Sequence, residues 1–181
     1  MADEQQLKEH QQKLGIMPRA AQQAMAQTDG MSELLISEIL TKVNNAKDKP
    51  KKVAVLKQYN SVAMRQILKG AFDPKIEWDL PTGTPPYMAN EAPAGTEHTT
   101  LLGEARKLWR FVKGADKDTS KPQRETMFIQ MLEGLHQDDA KVLIATKDKV
   151  LHRSYKGLSS AVVKEAFGWN DDYIKHESAP K

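Results

Sequence analysis

Cysteine is absent from this 181-residue chain. That excludes disulfides, thiol catalysis and cysteine-ligated metal sites, and it fits a reducing compartment. No apolar run approaches the roughly 18 residues needed to cross a bilayer, so no membrane association is expected. The first residues, Met1-Ala2-Asp3-Glu4, are polar and acidic and do not form a secretory signal. There is no Gly-rich phosphate loop and no Gly-x-Gly-x-x-Gly. The five histidines, His10, His98, His136, His152 and His176, are scattered without a zinc-binding spacing. The acidic pairs Asp138-Asp139 and Asp171-Asp172 do not add up to the converging carboxylates of a two-metal nuclease. No catalytic constellation, cofactor or metal is therefore expected, and the chain reads as a non-enzyme.

What is present is a typical globular composition, with 39% hydrophobic and 28% charged residues. The net charge is only +3, but between Arg106 and Lys156 there are 12 Lys/Arg against 7 Asp/Glu. A local basic surface can bind phosphates on a nearly neutral chain, although the same counts describe solvated helix faces.

Hydrophobic periodicity predicts an all-α domain of about seven helices. Residues 1–30 hold seven glutamines and few large apolar residues, and read as a mobile or weakly helical extension. The helical domain spans 31–170 and a polar tail spans 171–181. Ser32 is expected to cap a first helix carrying Leu35, Ile36, Ile39, Leu40 and Val43. Asp48 with Pro50 opens a second helix and Asn60-Ser61 a third. Ile76, Trp78 and Leu80 alternate as an extended segment. Residues 81–96, with Pro81, Pro85, Pro86 and Pro93, form a long loop. Thr96 is expected to cap an α-helix that buries Leu101, Leu102, Ala105, Leu108, Trp109 and Val112 and shows Arg106, Lys107, Arg110 and Lys113 outward. Ser120 and Gln123 form a capping-box pair. His136 is expected to finish that helix, and Asp138 to start the next. Lys-Gly-Ala occurs at 69–71 and 113–115, read as shared helix-end chemistry. Trp78, Trp109 and Trp169 are possible base-stacking groups, with the core the expected place for Trp109.

The most informative stretch is Lys156-Gly157-Leu158-Ser159-Ser160, with Arg153 upstream. It opens a helix carrying Val162, Val163, Ala166 and Phe167. A helix start offers free N–H groups and a positive dipole end, so it can hold a phosphate. It reads equally as an ordinary cap by Ser159, with Leu158 packing on Val163.

Two resemblances follow from particular residues. Ile67-Leu68-Lys69-Gly70-Ala71-Phe72-Asp73-Pro74, Gly95-Thr96-Glu97-His98-Thr99, Glu125-Thr126-Met127-Phe128-Ile129-Gln130 and Val163-Lys164-Glu165-Ala166-Phe167-Gly168-Trp169 resemble an uncharacterised family of small proteins of T-even-like tailed phages and cyanophages. That implies the cytoplasm of an infected bacterial host. The helical order is also distantly similar to the N-terminal DNA-binding domain of ATP-dependent DNA ligases. The matching pieces are Leu34 to Leu40, Lys51 to Leu56, Met64 to Trp78, Asp138 to Leu143, the Lys147-Asp148 pair, and Gly157-Leu158-Ser159. In ligases that last turn lies on the DNA backbone. The chain departs from them in having more residues between Asp148 and Gly157, and no Lys-x-Asp-Gly adenylation motif. The ligase resemblance thus implies a module that grips duplex DNA without sealing it.

The expected function is a non-catalytic DNA-binding protein that contacts phosphates with little sequence specificity. The candidate contacts are Arg106, Arg110, Lys113, Lys147, Lys149, Arg153, Lys156, Gly157, Ser159 and Lys164. The alternatives are a protein-interaction factor, meeting phage or host machinery through residues 81–96 or 1–30, and a minor virion component.

Overall fold

A computed structural model describes residues 34–93, 97 and 99–175. The expected extension at 1–30, the caps at Ser32 and Thr96, His10, His98 and His176, and the end of the tail lie outside them. The described residues form eight α-helices and one 3-10 helix: α1 (Ile36–Asn45), α2 (Lys49–Gln58), α3 (Val62–Phe72), α4 (Leu101–Glu104), the 3-10 helix (Ala105–Phe111), α5 (Lys121–Gly134), α6 (Gln137–Lys147), α7 (Leu151–Ser154) and α8 (Ser160–Phe167). The all-α expectation holds.

Most helix starts follow local chemistry. The side chains of Asp48, Ser61, Ser120 and Ser159 each accept the backbone N–H three residues on, at 3.0, 3.0, 3.4 and 3.3 Å. Each satisfies one of the N–H groups a helix leaves unpaired at its start. Gln123 closes the expected capping box, accepting the Ser120 N–H at 3.2 Å. The helix after the long loop is capped by Thr100, whose hydroxyl accepts the Gly103 N–H at 3.1 Å. His136 does not end α5; it caps α6, its Nδ1 accepting the Asp138 N–H at 3.1 Å. At the other end of α8, Gly168 adopts the left-handed conformation (φ 65°), and the Trp169 N–H bonds back to the Lys164 carbonyl at 2.8 Å. This is the Schellman arrangement that glycine permits.

The start of α1 is different. Leu35 occupies the cap position and has no side chain that can accept. Asp139 of α6 supplies the acceptor instead, taking the Ser37 N–H at 2.9 Å across 102 positions of sequence. Asp139 is buried, and loss of hydration pushes its pKa above the ordinary aspartate value, against the opposing bonds from Ser37 and the charge of His136. The folded state therefore holds this proton more tightly than the unfolded chain. Stability from the group is present at low pH and is lost as pH rises through the raised pKa. Asp139→Asn keeps an acceptor without the charge. The variant should gain stability relative to the wild type as pH rises from about 4 to about 7. Urea midpoints of both proteins across that range measure this, and a gap that shrinks with pH would refute it.

α3 and α6 form the centre. α3 packs on α6, α4, the 3-10 helix and α8, while α6 also packs on α1, α5 and α7. Leu40, Leu56, Met64, Ile67, Leu68, Leu101, Leu132, Leu135, Leu143 and Val163 are fully buried between them. α8 lies on α2 and is tied to it at the surface by Lys49–Glu165 at 3.2 Å. Gly70 lies in the last turn of α3, near the helix end as expected, but its role is packing: a Cβ there would stand 2.6 Å from the Trp78 ring. The Trp78 indole N–H donates to the Gly70 carbonyl at 3.0 Å. The segment 76–80 is extended as expected, and Trp78 pairs antiparallel with Val112. The 171–175 segment of the tail folds back rather than trailing. Trp169 pairs with Lys175, and Tyr173 is buried beside the Trp169 ring.

Candidate nucleic-acid interface

The ten expected contacts differ in burial and in the partners they already hold. Lys147 is the clearest correction. Its side chain is 2% exposed, and its ammonium donates to the Pro81 carbonyl at 2.7 Å, the Gly83 carbonyl at 3.0 Å and the Asp148 carboxylate. All three donors are consumed inside the protein, so it has none left for a phosphate. Lys149 is half-buried, and donates to the Asp73 carbonyl just past the end of α3 at 2.7 Å. Burial pushes its pKa down, against the pull of Asp73 and Glu77.

The Gly157 helix start is likewise built into the fold. The Gly157 N–H donates to the Asn44 side chain at the end of α1 at 2.8 Å. A Cβ on Gly157 would stand 2.8 Å from the Lys52 ammonium, which caps the carbonyls of Val43, Asn44 and Ala46. Glycine is present because α1 and Lys52 approach closely there. Ser159 acts as a cap and Leu158 is buried with Val163, as the ordinary reading of this turn expected. Lys164 pairs with Asp171 at 3.3 Å and lies 5.0 Å from the centre of the Tyr173 ring.

Four expected contacts are exposed and carry no ion pair among the described residues: Arg106, Arg110, Arg153 and Lys156. Arg153 is in the short α7 and Lys156 just beyond it. Arg106 and Arg110 sit on the 3-10 helix, with Lys113 two residues past its end.

That helix is where periodicity misled. Leu101, Ala105, Leu108 and Val112 fit an α-helical stripe, and Trp109 falls on the same stripe. After Glu104, however, the backbone tightens to three residues per turn, so side chains three apart eclipse one another. Ala105, Leu108 and Phe111 become one buried ridge. Phe111 points inward and meets Phe128 of α5 edge to face, centroids 5.3 Å apart. Trp109 is turned outward and is 50% exposed, contrary to the expected core position. The two outer ridges are then Arg106 with Trp109, and Lys107 with Arg110; Lys113 follows the extended Val112 beyond the helix. The Arg110 guanidinium lies 5.5 Å from the Trp109 ring centre, a cation–π contact. Lys107 pairs with the largely buried Glu104 at 3.2 Å, and Lys113 makes an exposed pair with Glu77 at 3.5 Å. Exposed pairs of this kind contribute little and exchange readily for another anion.

A 3-10 run of seven residues is long for a geometry with poor hydrogen bonds, and its surroundings hold it. The Phe111 carbonyl accepts the Asp79 N–H at 2.7 Å, and the Lys113 N–H donates to the Glu77 carbonyl at 2.8 Å. From below, Arg124 of α5 spreads its guanidinium over four acceptors. Nε donates to the Arg110 carbonyl at 3.0 Å and Nη1 to Asp79 at 2.9 Å. Nη2 donates to the carbonyls of Asp116 and Thr119 at 2.9 and 3.1 Å. Sequence reasoning missed Arg124. It follows a capping box like any exposed helix residue, and its partners lie 5 to 45 positions upstream.

Among the described residues no group of three or more His, Asp or Glu side chains could hold a metal ion, and no helix is long and apolar enough to cross a membrane. No curated protein and no solved structure matches this chain. A family model does match, over residues 39–153, more than half of the sequence and including the whole 3-10 helix. The chain belongs to that family, described as a family of unknown function (DUF6433).

Proposed function

We propose that this protein binds nucleic acid through its phosphate backbone, with little reading of sequence and no reaction catalysed. The observation that carries this reading is the 3-10 helix. Its three-residue period buries one ridge and turns Arg106, Lys107 and Arg110 outward with a half-exposed tryptophan, while Lys113 is exposed just past its end. Arginine forks and exposed lysines suit phosphate oxygens, and a rigid helix presents them at low entropic cost. Arg153 and Lys156 are further exposed cations, on and beyond α7. The ligase and phage resemblances support DNA as the polymer, met in the cytoplasm of an infected bacterium. A role as a protein-interaction factor is favoured by one observation, Met88, which stands 79% exposed on the proline-rich loop.

Labelled duplex and single-stranded DNA, titrated at several salt concentrations, test the reading. Binding should weaken steeply with salt because each neutralised phosphate releases counterions. Replacing Arg106 and Arg110 together by glutamine should reduce the slope of log K against log salt by about two units. Absence of binding to both forms at low salt would refute the proposal and leave the interaction reading.

A further inference from the structure

We infer that the preferred ligand of this face is an unpaired strand, with a base stacked on Trp109 and its flanking phosphates on Arg106 and Arg110. The inference rests on the nucleic-acid reading above and names the class of polymer within it.

The three tryptophans are treated differently by the fold. Trp78 is pinned against Gly70 by packing and by its indole hydrogen bond. Trp169 lies between Phe167 and Tyr173, centroids 4.8 and 6.1 Å away. Trp109 belongs to no hydrophobic cluster and leaves half its surface to solvent. Its backbone is nevertheless fixed. Leu108 and Phe111 on either side of it are buried, and Arg124 holds the carbonyl of Arg110. An exposed ring on an anchored ridge is a stacking platform within a cationic surface, beside Arg106 and Arg110, which make no ion-pair contact among the described residues, Arg110 feeling only the through-space charge of Asp116.

A duplex has little use for such a platform. Its base faces are already stacked on one another, and only edges, sugars and phosphates reach its surface. The ring would have to wedge between base steps and unstack them, which costs energy the single strand does not spend. An unpaired base has a free π-face, and stacking on it tolerates any sequence. The flanking cations fit the same ligand, because a strand passing over the ring carries a phosphate on each side of the stacked base. An unpaired DNA strand and an unpaired RNA strand share this chemistry.

Fluorescence anisotropy of labelled oligothymidylate, oligouridylate and a blunt DNA duplex of equal length provides the test, at low salt and with the full chain. The wild type should bind the single strands more tightly than the duplex. Trp109→Ala should weaken single-strand binding by about 5- to 150-fold, the value of one base–aromatic stack, and leave duplex binding unchanged. Trp109→Phe should restore much of the lost affinity. The ratio of the two oligonucleotide affinities tells which sugar is preferred. Equal loss on duplex and single strand, or no loss with Trp109→Ala while Arg106→Gln and Arg110→Gln still weaken binding, overturns the stacking inference and leaves the phosphate reading standing. Failure of the wild type to bind any of the three overturns both.

Discussion

Arg124→Met should lower the unfolding free energy by about 3 kcal/mol, the lower end of the usual cost of removing one partner from a buried, hydrogen-bonded charge pair, because Asp79 is itself 30% exposed. The Arg124 side chain is 6% exposed, and its guanidinium serves Asp79 and the carbonyls of Arg110, Asp116 and Thr119. Methionine fills similar space but supplies no donor, so these acceptors lose their partner together. For a domain of this size the loss corresponds to a fall in Tm of roughly 6–12 °C. Arg124→Lys should rescue little. One ammonium cannot span an acceptor set matched to a planar fork. Thermal melts followed by circular dichroism measure both variants, and a Tm within a degree or two of the wild type would show that these bonds carry no weight. The substitution removes one positive charge from a buried site, so any effect on nucleic-acid binding should come through a loosened 3-10 helix. The salt slope of the remaining binding should stay as in the wild type.

Lys147→Met should cost about 3 kcal/mol, for a related reason. The Lys147 ammonium and the Asp148 carboxylate form a two-sided clamp on the start of the proline-rich loop. Lys147 holds the carbonyls of Pro81 and Gly83, while both Asp148 oxygens accept the Gly83 N–H at 3.2 Å. Without the ammonium, the carboxylate remains unpaired and 13% exposed. The loop should detach at Pro81 to Gly83 before the domain melts. Limited proteolysis with a nonspecific protease reads the first effect, as faster cleavage within 81–86. Urea denaturation reads the second. Unchanged cleavage together with an unchanged midpoint would contradict the clamp. Had Lys147 been a phosphate contact, the variant would keep its stability and lose binding, so the two readings predict opposite outcomes.

These two residues also show what a sequence can reveal of such a fold. The caps at Asp48, Ser61, Ser120 and Ser159 were legible because donor and acceptor lie three positions apart, within reach of a local pattern. The apolar stripes of α1 and α8 were legible for the same reason. Arg124 and Lys147 were not. Nothing in the neighbourhood of a lysine or arginine tells whether its charge faces water or a carbonyl brought from 60 positions away. The 3-10 helix was hidden by a coincidence of spacing. Leu101, Ala105, Leu108 and Val112 satisfy an α-helical period, and the tighter winding becomes visible only when the 77–79 segment takes the carbonyl of Phe111. The cationic character of residues 106–113 was read correctly. The outward turn of Trp109 depends on the winding.

The distant cap on α1 bears on the order in which the protein can assemble. Asp139 closes the start of that helix, and Gly157 bonds to Asn44 at its end, across 102 and 113 positions. α1 leaves the ribosome before either partner exists. During synthesis it is a ten-residue helix, closed at its end by Lys52 but with no acceptor yet for the Ser37 N–H at its start, and too short to persist alone. It can settle only when α6 and the turn before α8 have been made. The segment synthesised first among the described helices is thus among the last to be secured, and its completion reports that the rest of the domain is in place.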